Sequence, residues 1–255
     1  MLLAIDIGNT NITFGIFEND QLRVTWRVAT NVDQMPDEYG ILLSNLLRHH
    51  GMGATDINEI AICSTVSPLT PTFLELCQKY FNITPFVVGA GVKTGVSIHM
   101  DNPREVGPDR IANAAAAHHL YSGPTIIVDV GTATTFDVIS KDGAFMGGAI
   151  ATGINTAAEA LFRRTAALPR VELVAPKRAI GTNTITAMQS GIIFGFVGLI
   201  EGMVNRMWKE LGEKPTVVAT GGYAHLMAKE TTMIDTLEPN ITLIGLRLIY
   251  LMNNS

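Results

Sequence analysis

Charged residues are scarce in this sequence, and cysteine is nearly absent. Charged side chains occupy 16% of the 255 positions, and the net charge is −5 at pH 7. This slightly acidic balance argues against broad binding to nucleic acid or to an anionic membrane surface. Cys63 and Cys77 lie fourteen residues apart, which suits neither a disulfide framework nor a metal site. We expect two buried thiols in a reducing cytosol, and therefore a cytoplasmic protein.

The sequence also lacks the patterns of a signal peptide and of a membrane-spanning helix. Strand-like residues follow the first Met directly, without a basic stretch, so no signal peptide is expected. The most apolar stretch, residues 185–200, is interrupted by Gln189 and Ser190 and runs into Glu201. We therefore expect it to be too short and too polar to span a membrane.

The same apolar stretch predicts a helix that is packed closely on several sides. Few charges lie on any of its faces, so a second subunit is expected to cover one of them. Glycines would flatten the helix for that contact, at Gly191, Gly195, Gly198 and Gly202. The sequence thus predicts a homodimer formed through the apolar helix at 185–204.

The first candidate functional motif lies within residues 2–17. An apolar run ends at Asp6, turn-forming residues follow at 8–11, and an alternating run begins at Ile12. This pattern predicts two strands joined by a tight turn, in which Gly8 lets the backbone approach a bound group. Because Asp6 would repel a bare phosphate, its expected role is to hold a metal ion that bridges to phosphate. The alternative is an ordinary hairpin whose turn is capped by Asp6.

The same pattern returns in residues 125–140. The aligned pairs are Asp6 with Asp129, Gly8 with Gly131 and Asn11 with Thr134. The offset is 129 − 6 = 123 residues, about half of the chain. The repeat predicts a duplicated α/β unit with a cleft between the two halves. A hinge near 122–124 would divide the chain into residues 1–122 and 123–255.

Strands alternate with helices along the rest of the chain, which indicates parallel strand pairs with right-handed crossovers. In the second half we expect a helix from Gly153 to about residue 167 and a loop over 168–178. A strand at 216–220 is followed by Gly221 and Gly222 before a short helix. Paired glycines at that place suit the close approach of a nucleotide, although the signal is weak alone.

The segment 107–110 carries the third candidate site. Gly107-Pro108-Asp109 predicts the start of an alanine-rich helix. The helix dipole is expected to keep Asp109 ionised, so that it could accept a proton from a substrate hydroxyl. Arg110 could bind a substrate carboxylate. The alternative, which the pattern alone favours, is a helix cap beside a solvated arginine.

Four motifs together resemble the type III pantothenate kinases, which belong to the superfamily of acetate and sugar kinases, Hsp70 and actin. The motifs are Asp6-Ile-Gly-Asn-Thr10, Gly107-Pro-Asp-Arg110, Asp129-Val-Gly-Thr132 and Thr220-Gly-Gly222. The resemblance covers essentially the whole chain. It implies duplicated ribonuclease-H-like (actin-like ATPase) domains, each a mixed five-stranded sheet flanked by helices. It also implies ATP-dependent phosphorylation of pantothenate to 4'-phosphopantothenate, the first step of coenzyme A biosynthesis.

The resemblance also implies roles for individual residues. Asp109 would be the general base, Asp6 would hold magnesium through water, and Asp129 would bind a monovalent cation, K+ or NH4+. Residues expected to bind ATP are Asp6, Ile7, Gly8, Asn9, Thr10, Asn11, Ile12, Thr13, Thr132, Gly221 and Gly222. Residues expected to bind pantothenate are Gly107, Pro108, Asp109, Arg110 and Thr184, the last from the neighbouring subunit. Met100 stands where many relatives have an aromatic residue, so it is left out of the site.

Other functions on the same fold remain open from the sequence. The chain could be a kinase-like transcription accessory factor without strong catalysis, although its complete set of acids argues against a decayed site. An actin-like assembling protein would need insertions that so compact a chain lacks. A polyphosphate hydrolase would use water as the nucleophile in place of an alcohol.

Overall fold

A computed structural model describes residues 1–254 of the chain, which form two compact units. Unit 1 contains residues 1–95, 102–116 and the chain from Thr242 onward. Unit 2 contains residues 96–101 and 117–241. Both units are therefore discontinuous in sequence, and the division into residues 1–122 and 123–255 stays a prediction.

Unit 1 is built on a mixed five-stranded sheet. Its strands are β1 (Leu2–Ile7), β2 (Asn11–Glu18), β3 (Gln21–Ala29), β4 (Glu59–Ser64) and β5 (Phe86–Val87), in the order β3-β2-β1-β4-β5. Strands β1, β2 and β3 pair antiparallel, whereas β4 is parallel to both β1 and β5. Alternate residues of β1 and β2, such as Ile5 and Phe14, are buried in a core with two helices, α1 (Pro36–His49) and α2 (Leu69–Phe81).

Unit 2 repeats this arrangement. Its strands are β6 (Thr125–Val130), β7 (Ala133–Ile139), β8 (Phe145–Thr152), β9 (Thr216–Thr220) and β10 (Thr236–Leu237), in the order β10-β9-β6-β7-β8. The first three strands are again antiparallel, and β9 is parallel to β6 and to β10. The predicted duplication and α/β class are thus confirmed, including a mixed five-stranded sheet in each unit.

The remaining helices lie close to the predicted positions. They are α3 (Pro108–Leu120), α4 (Ile154–Arg164), α5 (Thr184–Leu211), α6 (Ala224–Ala228) and α7 (Ile241–Asn254). Within unit 1, α7 crosses α3 so closely that a Cβ atom on Gly245 would overlap the carbonyl group of Ala112. A glycine is required at this crossing because the two backbones are in contact.

Helix α5 is longer than the sequence pattern suggested. Asn183 caps it by accepting a hydrogen bond from the Thr186 N–H at 2.9 Å. The helix has 28 residues and continues past Glu201, whose carboxylate accepts a hydrogen bond from Thr231 at 2.7 Å. The expectation that it is too short and too polar to span a membrane is therefore wrong by length and composition. Eight of its residues are nevertheless buried in unit 2. A helix in the core of a folded protein can be as long and as apolar as one that crosses a membrane.

The two hairpin turns differ in length, which corrects one part of the proposed repeat. Ile7 pairs with Ile12, so the first turn contains residues 8–11. Val130 pairs with Thr134, so the second turn contains only residues 131–133. After the turn the structural offset is therefore 134 − 12 = 122 residues, and Thr134 corresponds to Ile12 rather than to Asn11.

Candidate active site

The first candidate loop, residues 8–11, joins β1 to β2 at the carboxyl end of β1. The N–H of Gly8 donates to the carbonyl of Asn11 at 3.0 Å and closes the turn. Thr65 follows the neighbouring strand β4 and donates both its N–H, at 3.0 Å, and its hydroxyl, at 3.2 Å, to the carbonyl of Ile7. Ligands of open α/β sheets bind beyond the carboxyl ends of parallel strands, which is where this loop lies.

Two of the predicted acids in unit 1 lie near the same buried thiol. Asp6 is the ladder partner of Cys63 across β1 and β4, and Cys63 is completely buried. Burial, and then the negative charges of Asp6 and Asp109, raise the pKa of the Cys63 thiol well above its ordinary value of 9.0. The structure thus brings Asp6 and Asp109 into one neighbourhood, although they are far apart in sequence. Cys63 and Cys77 are both buried free thiols, as predicted.

Asp109 lies in the first turn of α3, and its carboxylate folds back over Gly107. A Cβ atom on Gly107 would overlap Asp109 Oδ1, so glycine leaves the space that this carboxylate occupies. Burial raises the pKa of Asp109. The backbone N–H groups of Arg110 and Asp109 and the charge of Arg110 lower the pKa, but burial has the larger effect. Desolvation is thus the largest effect on this pKa, and the ionised state of Asp109 stays a prediction.

The second candidate loop, in unit 2, places backbone and carboxylate oxygens around Gly221. A Cβ atom on Gly221 would overlap Asp129 Oδ1 and would lie 2.7 Å from the carbonyl oxygen of Val130. The φ angle of Gly221 is +91°, which other residues rarely adopt. The structure therefore brings Gly221 to Asp129, although the two residues come from separate sequence motifs; Gly222 follows in the same turn.

These oxygens suit a hard cation. Carboxylate and carbonyl oxygens are the ligands that such ions prefer, and Asp129 Oδ1 lies beside Gly221 together with the Val130 carbonyl oxygen, which also accepts a hydrogen bond from the N–H of Tyr223 at 3.1 Å. Among residues 1–254 there is no group of three or more His, Cys, Asp and Glu side chains that could hold a metal ion.

Thr184 lies at the first turn of α5 and lines a cavity of about 1040 Å³ within unit 2. Apolar side chains of α4 and α5 form most of its wall, including Leu161, Met188 and Phe196, and Arg164 is its one charged residue. Sequence reasoning missed this cavity, because α4 and α5 are separated by an irregular segment of some twenty residues. The predicted loop over 168–178 is part of that segment.

Comparison with known proteins identifies the family. The family model for type III pantothenate kinases matches residues 2–206. A type III pantothenate kinase from Dehalococcoides mccartyi strain CBDB1 is 54% identical over 252 residues, which is 99% of this chain and 96% of the relative.

Two solved structures share the fold at lower identity. A candidate Baf family transcriptional activator from Campylobacter jejuni has a TM-score of 0.64 and 19% identity, covering 99% of this chain and 98% of the other. A candidate 2-dehydro-3-deoxygalactonokinase from Sinorhizobium meliloti has a TM-score of 0.59 and 15% identity, covering 98% and 96%. These two neighbours share the fold alone, whereas the family model and the relative that is 54% identical show that the chain belongs to the type III pantothenate kinase family.

Proposed function

We propose that this chain transfers the γ-phosphoryl group of ATP to the hydroxymethyl group of pantothenate, which gives 4'-phosphopantothenate and ADP in the first step of coenzyme A biosynthesis. The observation that carries the proposal is the family match over residues 2–206, with every acid of the family motifs present. The transcription accessory function is not adopted, because the likeness to the Campylobacter protein is 19% in identity and bears on the fold alone.

Asp109 is the proposed general base. Its partly buried carboxylate would accept the proton of the pantothenate hydroxymethyl group as the hydroxyl oxygen bonds to the γ-phosphorus and the bond to the ADP oxygen breaks. Its raised pKa suits this role, because a base works best when its pKa approaches the working pH. Gly107 and Pro108 would line the pantothenate site, and Arg110 would bind the carboxylate through its planar guanidinium group.

Residues 6–13, Thr132, Gly221 and Gly222 would bind ATP. Mg2+, held by Asp6 through water, would supply positive charge that offsets the charge of the phosphates. A monovalent cation, K+ or NH4+, would be held by Asp129, whose Oδ1 lies with the carbonyl of Val130 beside Gly221. The protein's own contribution is to fix and align the reacting groups, since phosphoryl transfer depends on positioning more than on covalent chemistry.

A homodimer through α5 is part of the proposal, and Thr184 would reach the pantothenate of the neighbouring subunit. Gly191, Gly195 and Gly198 of α5 have open space where a side chain would project. Such a strip of glycines allows a second helix to approach closely. Light scattering should give a mass near twice 27.4 kDa, and Gly195→Glu should reduce it to that of the monomer. A monomeric wild-type protein would contradict this part.

We place the enzyme in the cytoplasm, without nucleic-acid or membrane partners.

A coupled assay tests the function. ADP release is followed with ATP, Mg2+ and pantothenate, in potassium and then in sodium, and the product is identified by mass spectrometry. We expect ADP release that requires pantothenate, a product heavier by one phosphoryl group, and a faster rate in potassium. ADP release that is independent of pantothenate would indicate a hydrolase and would overturn the proposal. Asp129→Asn should remove the difference between potassium and sodium.

A further inference from the structure

Thr30 holds the first candidate loop from the side of strand β3. Its hydroxyl donates to the carbonyl of Gly8 at 2.6 Å, and its N–H donates to the carbonyl of Thr10 at 3.0 Å. One residue therefore fixes two carbonyl groups of a four-residue turn, one on each side of Asn9. None of the sequence motifs includes Thr30, because it lies nineteen residues or more from the loop.

These contacts fix the direction of the loop amides. In a trans peptide the carbonyl and the following N–H point in opposite directions. The Gly8 carbonyl points towards Thr30, so the N–H of Asn9 must point away from it. Asn9 itself is exposed. An N–H group that is held in this way can donate to a phosphate oxygen, and its orientation costs nothing further when the ligand binds.

The corresponding position beside the second loop, residues 131–133, is occupied by a different kind of residue. Strand pairing aligns Asn11 and Ala29 of unit 1 with Ala133 and Thr152 of unit 2, so Thr30 corresponds to Gly153. A Cβ atom on Gly153 would overlap the carbonyl of Thr132 and would lie 2.5 Å from that of Gly131. The shorter turn thus leaves no room for a side chain where the longer turn accepts a threonine.

A hydroxyl reaches the second loop from elsewhere. Thr156, in the first turn of α4, donates to the carbonyl of Thr132 at 3.2 Å. Each loop is therefore held by one threonine hydroxyl on a loop carbonyl, although the two threonines do not correspond in the repeat. A repeated contact at non-equivalent positions indicates that the contact serves the loop and is not a remnant of the duplication.

We propose that Thr30 is a positioning residue for nucleotide binding: its hydroxyl holds the 8–11 loop so that the loop amides face the ATP phosphates. This inference rests on the proposed function only for the identity of the nucleotide. Ser at position 30 can make the same hydrogen bond, whereas Val keeps the shape and removes it. Thr25 lies on the exposed face of β3, five residues away, and provides a matched control.

The test measures binding and turnover separately in the full chain. Wild type, Thr30→Val, Thr30→Ala, Thr30→Ser and the control Thr25→Val are titrated by calorimetry with a non-hydrolysable ATP analogue. We expect Thr30→Val and Thr30→Ala to weaken binding roughly tenfold, and the KM for ATP to rise with it, because a displaced loop loses aligned donors. Thr30→Ser should stay within about threefold of wild type, and the KM for pantothenate should change less than about twofold.

Several outcomes would overturn the inference. Equal affinity of Thr30→Val and Thr25→Val for the analogue would do so. A parallel rise in the KM values of Thr30→Val for ATP and for pantothenate, together with a lower melting temperature, would also do so, because it would indicate a merely structural role. A wild-type protein that binds no analogue would also refute it. If wild type binds the analogue but does not phosphorylate pantothenate, the proposed function fails, and the titrations still decide the role of Thr30. Thr30→Ala keeps the test usable if Thr30→Val does not fold.

Discussion

Replacement of Asp109 by Asn is expected to separate activity from stability. Asn keeps the size of the side chain but cannot accept a proton. The loss of a positioned general base typically lowers turnover by about a hundred- to ten-thousandfold, which corresponds to roughly 3–5 kcal/mol of transition-state stabilisation. Turnover of pantothenate should fall by that amount in the coupled assay. Asp101→Asn, an exposed acid outside the site, should leave the rate unchanged.

The same substitution should stabilise the fold at neutral pH. Burial raises the pKa of Asp109 above its ordinary value of 3.8, so the folded chain holds this proton more tightly than the unfolded chain does. The contribution of Asp109 to the free energy of unfolding is therefore full below pH 3.8 and is lost as the pH rises through the folded pKa. Asn carries no charge to desolvate, so Asp109→Asn should melt higher than wild type at pH 7.5. That difference should shrink as the pH falls.

The pH profile gives a second measure of the same group. If the ionised form of Asp109 is the base, kcat/KM for pantothenate should fall as the pH drops through the pKa of Asp109, which lies above 3.8. Near-normal turnover in Asp109→Asn would show that another group takes the proton. A variant that is inactive and also melts lower than wild type at neutral pH would show that the desolvation argument is mistaken.

Three further substitutions test packing around the sites. Thr134→Val removes a buried hydroxyl that has no hydrogen-bond partner among residues 1–254, so calorimetry should show stabilisation of about 1 kcal/mol, or a melting temperature about 2–4 °C higher. Gly245→Ala places a methyl group against the backbone of α3, so urea unfolding should show a loss of about 1–3 kcal/mol. Gly221→Ala should abolish potassium activation, because its Cβ would displace Asp129. Gly212→Ala shares the positive φ angle but meets no atom, so it measures the backbone strain alone.

The sequence predicted those parts of the fold that depend on short-range pattern. Alternation of apolar residues in 12–16 and the repeat in 125–140 were sufficient to predict both hairpins, because a strand that buries one face has a period of two residues. The strand at 216–220 was likewise predicted from its local apolar pattern. The family motifs carried the candidate site, and the structure groups Asp6 with Asp109 and Asp129 with Gly221.

What the sequence could not predict depends on contacts between distant segments. The ionisation of Asp109 depends on desolvation by residues that surround α3, whereas the pattern showed only its place in a helix. The end of α5 was misjudged because residues 205–211 interrupt the apolar run with polar side chains, although they continue the helix to Leu211. Strand β10 has only two residues, too few for any periodic signal. Thr30 carried no signal of its own, since its contacts with residues 8–10 appear only when β2 and β3 are paired.

The two loops are held by similar contacts but differ in the room beside them. In unit 1, Thr30 donates to the carbonyl groups of Gly8 and Thr10 in the longer turn, and Thr65 donates to the carbonyl of Ile7 just before it. In unit 2, Thr156 donates to the carbonyl of Thr132 in the shorter turn, and the N–H of Tyr223 donates to the carbonyl of Val130 just before it. The extra residue of the first turn thus makes room for a side chain beside it, at Thr30, where the shorter turn admits only a glycine, at Gly153.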